Sequence, residues 1–126
     1  MIALEEALAI HAELIEATGG SHGVRDQGGL EAALARPFAT FDGQELYPDP
    51  VVKAAALLES VVKNHPFVDG NKRTGYVLAR LTLLTYDMDL QAGDDEEYDL
   101  VIRVATGQLE VEEVHAWMKT RTKPLK

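Results

Sequence analysis

The 126 residues carry 12 lysines and arginines against 21 aspartates and glutamates, a formal charge of −9, with 46% apolar residues, 6% aromatic residues and no cysteine. That length and apolar share suit one domain over residues 1–126, with a single core that aliphatic residues and alanine must fill. The missing cysteine excludes disulfides, thiolate metal sites and cysteine nucleophiles. The acidic balance disfavours direct nucleic-acid binding, and with no signal-like stretch or long apolar run the expectation is a cytoplasmic protein with no membrane partner.

Residues 3 to about 17 place Leu4, Leu8, His11, Leu14 and Ile15 at three-and-four spacing, with Glu5, Glu6, Glu13 and Glu16 off that stripe. This predicts an amphipathic helix. His11 lies on its apolar side and reads as a core histidine with a backbone or carboxylate partner. Gly19-Gly20 ends the helix. Ser21 to Gln27 is a loop, and Asp26 caps a short helix over about 28–36 with Leu30, Ala33 and Leu34 inward. Arg25 reads as a structural cation paired with a carboxylate, or as a residue that positions a partner. Pro37 to Pro50 has no helical period. Asp42-Gly43 within it predicts a short hairpin, a flap ahead of the central helices.

Asp49-Pro50 opens a third helix that runs to Asn64. A fourth spans about 71–86, with Val77, Leu81, Leu84 and Met88 as its apolar stripe, widened by Leu78 and Leu83. Arg80 is its interior charge, expected to reach solvent or a carboxylate, or to see a ligand. Asp87 to Gly93 reads as a connection. Asp94 with Glu97 predicts a capping-box start for a fifth helix ending near Thr106 and Gly107. A last helix over about 110–121 uses Val111, Val114 and Trp117 or Met118, with His115 exposed. Lys119, Arg121, Lys123 and Lys126 read as a solvated tail. The predicted class is all-α, a compact bundle of about six helices.

The chemistry gathers between the third and fourth helices, in Asn64-His65-Pro66-Phe67-Val68-Asp69-Gly70-Asn71-Lys72-Arg73-Thr74. Pro66 pushes His65 out of the helical region. Gly70 and Asn71 tolerate left-handed dihedrals, so the chain from Asp69 to Arg73 can curl its N–H groups toward one spot. A helix starting there offers free N–H donors and a positive dipole end, to which Lys72 and Arg73 add two charges: a phosphate cradle. Asp69 beside a bound phosphate suits Mg²⁺, which takes one or two carboxylates plus phosphate oxygens. His65 suits a general base at neutral pH. Singly, each residue has a plain reading as helix cap, turn or solvent-facing charge. Together they resist it, because two cations at the positive end of a helix call for an anion. Base, metal ligand and anion cradle are the parts that phosphoryl or nucleotidyl transfer needs.

His65-Pro66-Phe67-Val68-Asp69-Gly70-Asn71-Lys72-Arg73 resembles the Fic/Doc signature His-Pro-Phe-x-(Asp/Glu)-Gly-Asn-(Gly/Lys)-Arg. His11, Gly19-Gly20, Gly23, Arg25-Asp26, Leu30, Leu34, Tyr47-Pro48 and Ala54-Ala55-Ala56-Leu57 resemble the short death-on-curing (Doc) branch. The resemblance implies an all-helical transferase that modifies a protein hydroxyl with a nucleoside triphosphate. By position it makes His65 the catalytic base, Phe67 the anchor of the loop, Asp69 the Mg²⁺ ligand, and Gly70, Asn71, Lys72 and Arg73 the phosphate-binding residues. A flap of the predicted kind would clamp the target segment by strand addition.

Adenylylating members usually carry Gly where this chain has Lys72, and a second Arg where it has Tyr76. A bulky cation at residue 72 favours presenting the terminal phosphate of ATP to the nucleophile. The Doc branch implies phosphorylation of a translation elongation factor, arrested protein synthesis, and a toxin restrained by an antitoxin in a separate chain. No inhibitory Ser/Thr-x-x-x-Glu helix is evident in this sequence. Adenylyl transfer by the same loop, or a catalytically silent binding module that keeps the anion cradle, are the alternatives.

Overall fold

The computed structural model describes residues 1–125. Its centre is a pair of helices, α3 (Pro50–Asn64) and α4 (Asn71–Leu84) in a numbering that counts α1 (Leu4–Thr18) and α2 (Gln27–Ala35) before them. α3 starts where the sequence places it: Asp49 accepts the Val52 N–H at 2.9 Å and Pro50 occupies the first turn. Every residue from Lys53 to Val62 is buried, so this helix has no solvent face over most of its length.

α4 meets α3 through glycine. A Cβ built on Gly75 would stand 3.2 Å from Val62 Cγ2, 3.3 Å from Leu58 Cδ1 and 3.4 Å from Val61 Cβ. This close approach decides which face of α4 turns inward. Gly75, Tyr76, Leu78, Ala79, Thr82 and Leu83 are buried, while Val77 and Leu81 are half-buried and Leu84 is 37% exposed. The predicted stripe through Val77, Leu81 and Leu84 is therefore the flank of the helix. Both faces are apolar at the same period, and small residues rather than large ones select the inner one.

α1 and α2 cover one side of the pair, and α5 (Asp94–Ala105) and α6 (Val111–Lys119) the other. Leu30, Leu34, Leu57, Val61, Phe67 and Leu78 join the first apolar cluster. Leu58, Val62, Leu83, Leu100, Val104, Val114 and Met118 join the second. Among the described residues, six α-helices and the all-α class agree with the sequence reading. α5 starts one residue from its predicted cap: the Gly93 N–H donates to Glu96 at 3.2 Å, in place of an Asp94–Glu97 pairing. An acidic run offers several registers, and Leu100, Val101 and Val104 must face the core.

The flap is a hairpin of β1 (Thr40–Phe41) and β2 (Gln44–Glu45), with Thr40 opposite Glu45. Asp42 (φ 53°) and Gly43 (φ 78°) both take positive φ, as a two-residue primed turn requires. A second antiparallel pair was not predicted. β3 (Met88–Leu90) lies in the segment read as a connection, and β4 (Thr122–Pro124) in the one read as a solvated tail.

The tail is not free. The Arg121 guanidinium donates to Glu96 at 2.8 Å and stacks 4.1 Å from the Trp117 ring; Lys126 lies outside the described residues. His115 is half-buried rather than exposed, 3.6 Å from Asp49. Among the described residues no helix is long and apolar enough to cross a membrane.

Candidate active site

α3 stops at His65, which adopts left-handed dihedrals (φ 54°, ψ 53°). A non-glycine residue pays roughly 1–2 kcal/mol for that conformation, so the surroundings must hold it. Phe67 is fully buried two residues on, and the His11 ring stacks on it at 3.8 Å with the planes 6° apart. The loop is closed by Asn71, itself 3% exposed. Its Oδ1 accepts the Phe67 N–H at 2.9 Å and its Nδ2 donates to the Phe67 carbonyl at 2.9 Å. The same Nδ2 sits 3.1 Å from Nδ1 of His65. With the amide fixed in that orientation, Nδ1 of the neutral imidazole accepts and Nε2 carries the hydrogen.

The next three residues set the charge. The Asp69 carbonyl accepts from His11 Nε2 at 2.8 Å. Its carboxylate accepts the Ser21 N–H at 3.1 Å and the Gly70 N–H at 2.9 Å. Those two donors, with smaller help from His11 and Lys72, hold the Asp69 carboxyl below the usual carboxylate range. Its approach to the α1–α2 loop requires glycine: a Cβ on Gly20 (φ 114°) would fall 2.7 Å from Asp69 Oδ2.

Gly70 (φ 78°) turns the chain into α4. The first bond of that start runs from Thr74 N–H to the Gly70 carbonyl at 3.0 Å. The N–H groups of Asn71, Lys72 and Arg73 precede it and are the open donors of the helix start. Lys72 and Arg73 are exposed, and among the described residues neither makes an ion pair within 4 Å.

Both line a cleft of about 690 Å³, with Leu14, Tyr76 and Val77 on one side and Asp94, Asp95, Glu97, Tyr98 and Val101 of α5 on the other. Burial pushes the Glu97 carboxyl up, helped by Asp94 and opposed by Arg73 and Arg80. Burial also raises the Tyr76 phenol. Arg80 is engaged by both oxygens of Asp89, at 2.7 and 3.0 Å. Among the described residues no group of three or more His, Cys, Asp or Glu side chains gathers to hold a metal. A cation here would rely on Asp69 and on oxygens brought by a ligand.

The model of the Fic/DOC family matches residues 2–83. The chain belongs to the Fic/DOC family. Toxin Doc of Mycolicibacterium smegmatis is 44% identical over 102 residues, covering 79% of this chain and 78% of that protein. Protein kinase doc of Escherichia phage P1 is 34% identical over 114 residues, covering 90% and 88%. The family match runs from α1 almost to the end of α4 and so contains the whole loop and the residues that brace it.

In this Fic/Doc chain His65, Asp69, Gly70, Lys72 and Arg73 all stand at the turn between α3 and α4, and of these Lys72 and Arg73 line the cleft. It adds three things the sequence reading missed. The Asn71 side chain is spent on the loop and on His65, so toward an anion Asn71 offers only its N–H. Ser21 and Gly20 hold Asp69. Among the described residues Arg25 meets no carboxylate; its guanidinium donates to main-chain carbonyls of the loop. An asparagine that can reach back to its own preceding turn is a signal legible in sequence. A carbonyl acceptor, present at every residue, is not.

Proposed function

We propose that this Fic/Doc protein is a Doc-type toxin that phosphorylates a Ser or Thr hydroxyl of a protein target, with ATP as donor. The target class is a translation elongation factor, and the restraint is an antitoxin in a separate chain. The reading rests above all on Lys72, exposed and without an ion pair among the described residues, beside Arg73 at the open start of α4, on a cleft large enough for a nucleotide. A small residue at position 72 would leave room for an inner phosphate. A lysine occupies that room and favours gripping the triphosphate with its terminal phosphorus toward His65. The two doc-named relatives, a toxin and a protein kinase, support the same reading.

Asp69 fits Mg²⁺: its carboxylate is held ionised, lies at the surface, and keeps a lone pair on each oxygen beyond the two N–H groups it accepts. When bound, the ion would neutralise charge on the phosphates. The chain's own residues do the rest. Amides 71–73, Lys72 and Arg73 hold the phosphates. His65 takes the proton of the target hydroxyl as its oxygen bonds to the γ-phosphorus. The bond from that phosphorus to the bridging oxygen breaks, and ADP leaves. Base action at Nε2 requires the ring hydrogen to pass to Nδ1, which ends the Asn71 contact; Asn71 thus holds a resting tautomer.

The test is to incubate the protein with ATP, Mg²⁺ and a translation elongation factor and to weigh the factor intact, with His65→Ala as control. A gained phosphate that the control lacks supports phosphorylation. A gained nucleoside monophosphate shows adenylyl transfer. An unchanged mass together with undiminished toxicity of His65→Ala leaves the silent binding module.

A further inference from the structure

Three consecutive carbonyls at the exit of α3 accept hydrogen bonds from one short stretch of the α1–α2 loop. Arg25 Nη2 donates to the Asn64 carbonyl at 2.6 Å and Arg25 Nε to the His65 carbonyl at 2.7 Å. The Arg25 and Asp26 N–H groups both donate to the Pro66 carbonyl, at 2.7 and 2.9 Å. Beyond them, Val24 bridges to Phe67, and the Val68 N–H donates to the Gly23 carbonyl at 3.0 Å. Carbonyls at the end of a helix have no partner of their own. Here one rigid, planar fork takes two of them on either side of the left-handed residue, which locks the peptide plane between Asn64 and His65. A lysine ammonium keeps the charge but has no such fork.

We propose that Arg25 is a positioning residue for His65. It holds the main chain of the base from outside the loop, while Asn71 holds the ring from inside. Neither hold alone fixes the imidazole. Asn71 acts on a side chain that can rotate about its own bonds, and Arg25 acts on the backbone that carries it. Among the described residues, Arg25 is not one of those that line the cleft of Lys72 and Arg73. The effect therefore falls on the chemical step and leaves nucleotide binding alone. Misplacing a catalytic group by about 1 Å costs on the order of a hundredfold; because the Asn71 contact ends when His65 acts, losing the main-chain hold of Arg25 is expected to cost about tenfold. This inference rests on the reading of His65 as the base.

The experiment uses the full chain with ¹⁵N-labelled histidine, as wild type, Arg25→Lys and Arg25→Ala. In the wild type the His65 nitrogens are expected to show one tautomer, with hydrogen on Nε2. In Arg25→Lys the two nitrogen shifts of His65 should move toward each other as the Asn71 contact loosens, while His11, His22 and His115 stay in place. Alongside, kcat for ATP-dependent modification of a translation elongation factor should fall about tenfold, with KM for ATP within twofold.

His65 signals and kcat that both match the wild type in Arg25→Lys overturn the proposal. So does a general shift of all four histidines, which marks loosened packing. If Arg25→Ala fails to fold, Arg25→Lys alone decides. If the wild type modifies nothing, the proposed activity fails, while the histidine spectra still decide whether Arg25 fixes His65.

Discussion

The root of the flap and the start of α4 use the same residue types in opposite ways. At the flap root Lys53 is 4% exposed. Its ammonium donates to Glu45 at 2.7 Å, to the Pro37 carbonyl at 3.3 Å and to the Tyr47 carbonyl, and lies 5.4 Å from the Phe38 ring. Arg36 beside it donates to Glu59 and Ser60, both at 2.8 Å, and to the Tyr47 hydroxyl at 3.0 Å. These cations are consumed by the fold. At the start of α4, Lys72 and Arg73 are exposed and add their charge to the positive end of a helix dipole. A buried, fully partnered cation states how the chain is held. Exposed cations beside open amides state what the chain can bind.

The sharpest way to break this contrast is at the proposed base. His65→Ala should lower kcat about a thousandfold and leave the thermal midpoint nearly unchanged; an unaltered rate would remove the active loop from the chemistry. Lys53→Met should do the converse. Leaving the Pro37 and Tyr47 carbonyls without their donor is expected to cost about 3 kcal/mol in urea unfolding, with the specific activity of the folded fraction kept. An activity loss larger than the folding defect explains would make the flap root part of the site.

Asp69→Ala should lower transfer about tenfold, equivalent to about 1.4 kcal/mol at the transition state, with partial recovery at raised Mg²⁺. Lys72→Gly should change the product more than the rate: the mass of the modified target shifts toward a nucleoside monophosphate. An identical product would count against the steric role of Lys72.

The smallest effect is that of pH on the loop. The Asp69 carboxyl is depressed in the folded chain, so its hold on Ser21 and Gly70 is fully present above the ordinary carboxylate value of about 3.9. That hold is lost as pH falls through the lower folded value. Hydrogen exchange of those two amides, followed downward from pH 5, should quicken only below that range.

Much of the frame is legible where a residue type has one local meaning. Asp49-Pro50 can hardly do other than start a helix, and Asp42-Gly43 between short extended segments can hardly do other than turn. The open, cationic start of α4 is legible because Gly70, Lys72 and Arg73 lie within one turn of chain. What stays hidden depends on distance along the sequence. β3 and β4 have three residues each, and their pairing spans the whole of α5 and α6. Lys53 lies in an alanine-rich run, where nothing nearby shows that its three acceptors arrive from the flap. Arg25 promises a carboxylate by charge, but its partners are peptide carbonyls about forty residues away.

The absent side chain at residue 75 has a consequence for the chemistry. His65 ends one central helix and Arg73 begins the other, and Gly75 is where the two rods touch, beside Val61 and Val62. The gap between the proposed base and the proposed anion ligand is thus gauged by a single missing methyl. An alanine there would act as a shim, parting the rods by roughly a few tenths of an ångström. Turnover could then be trimmed by a purely steric adjustment, with every polar group of the pocket still in place.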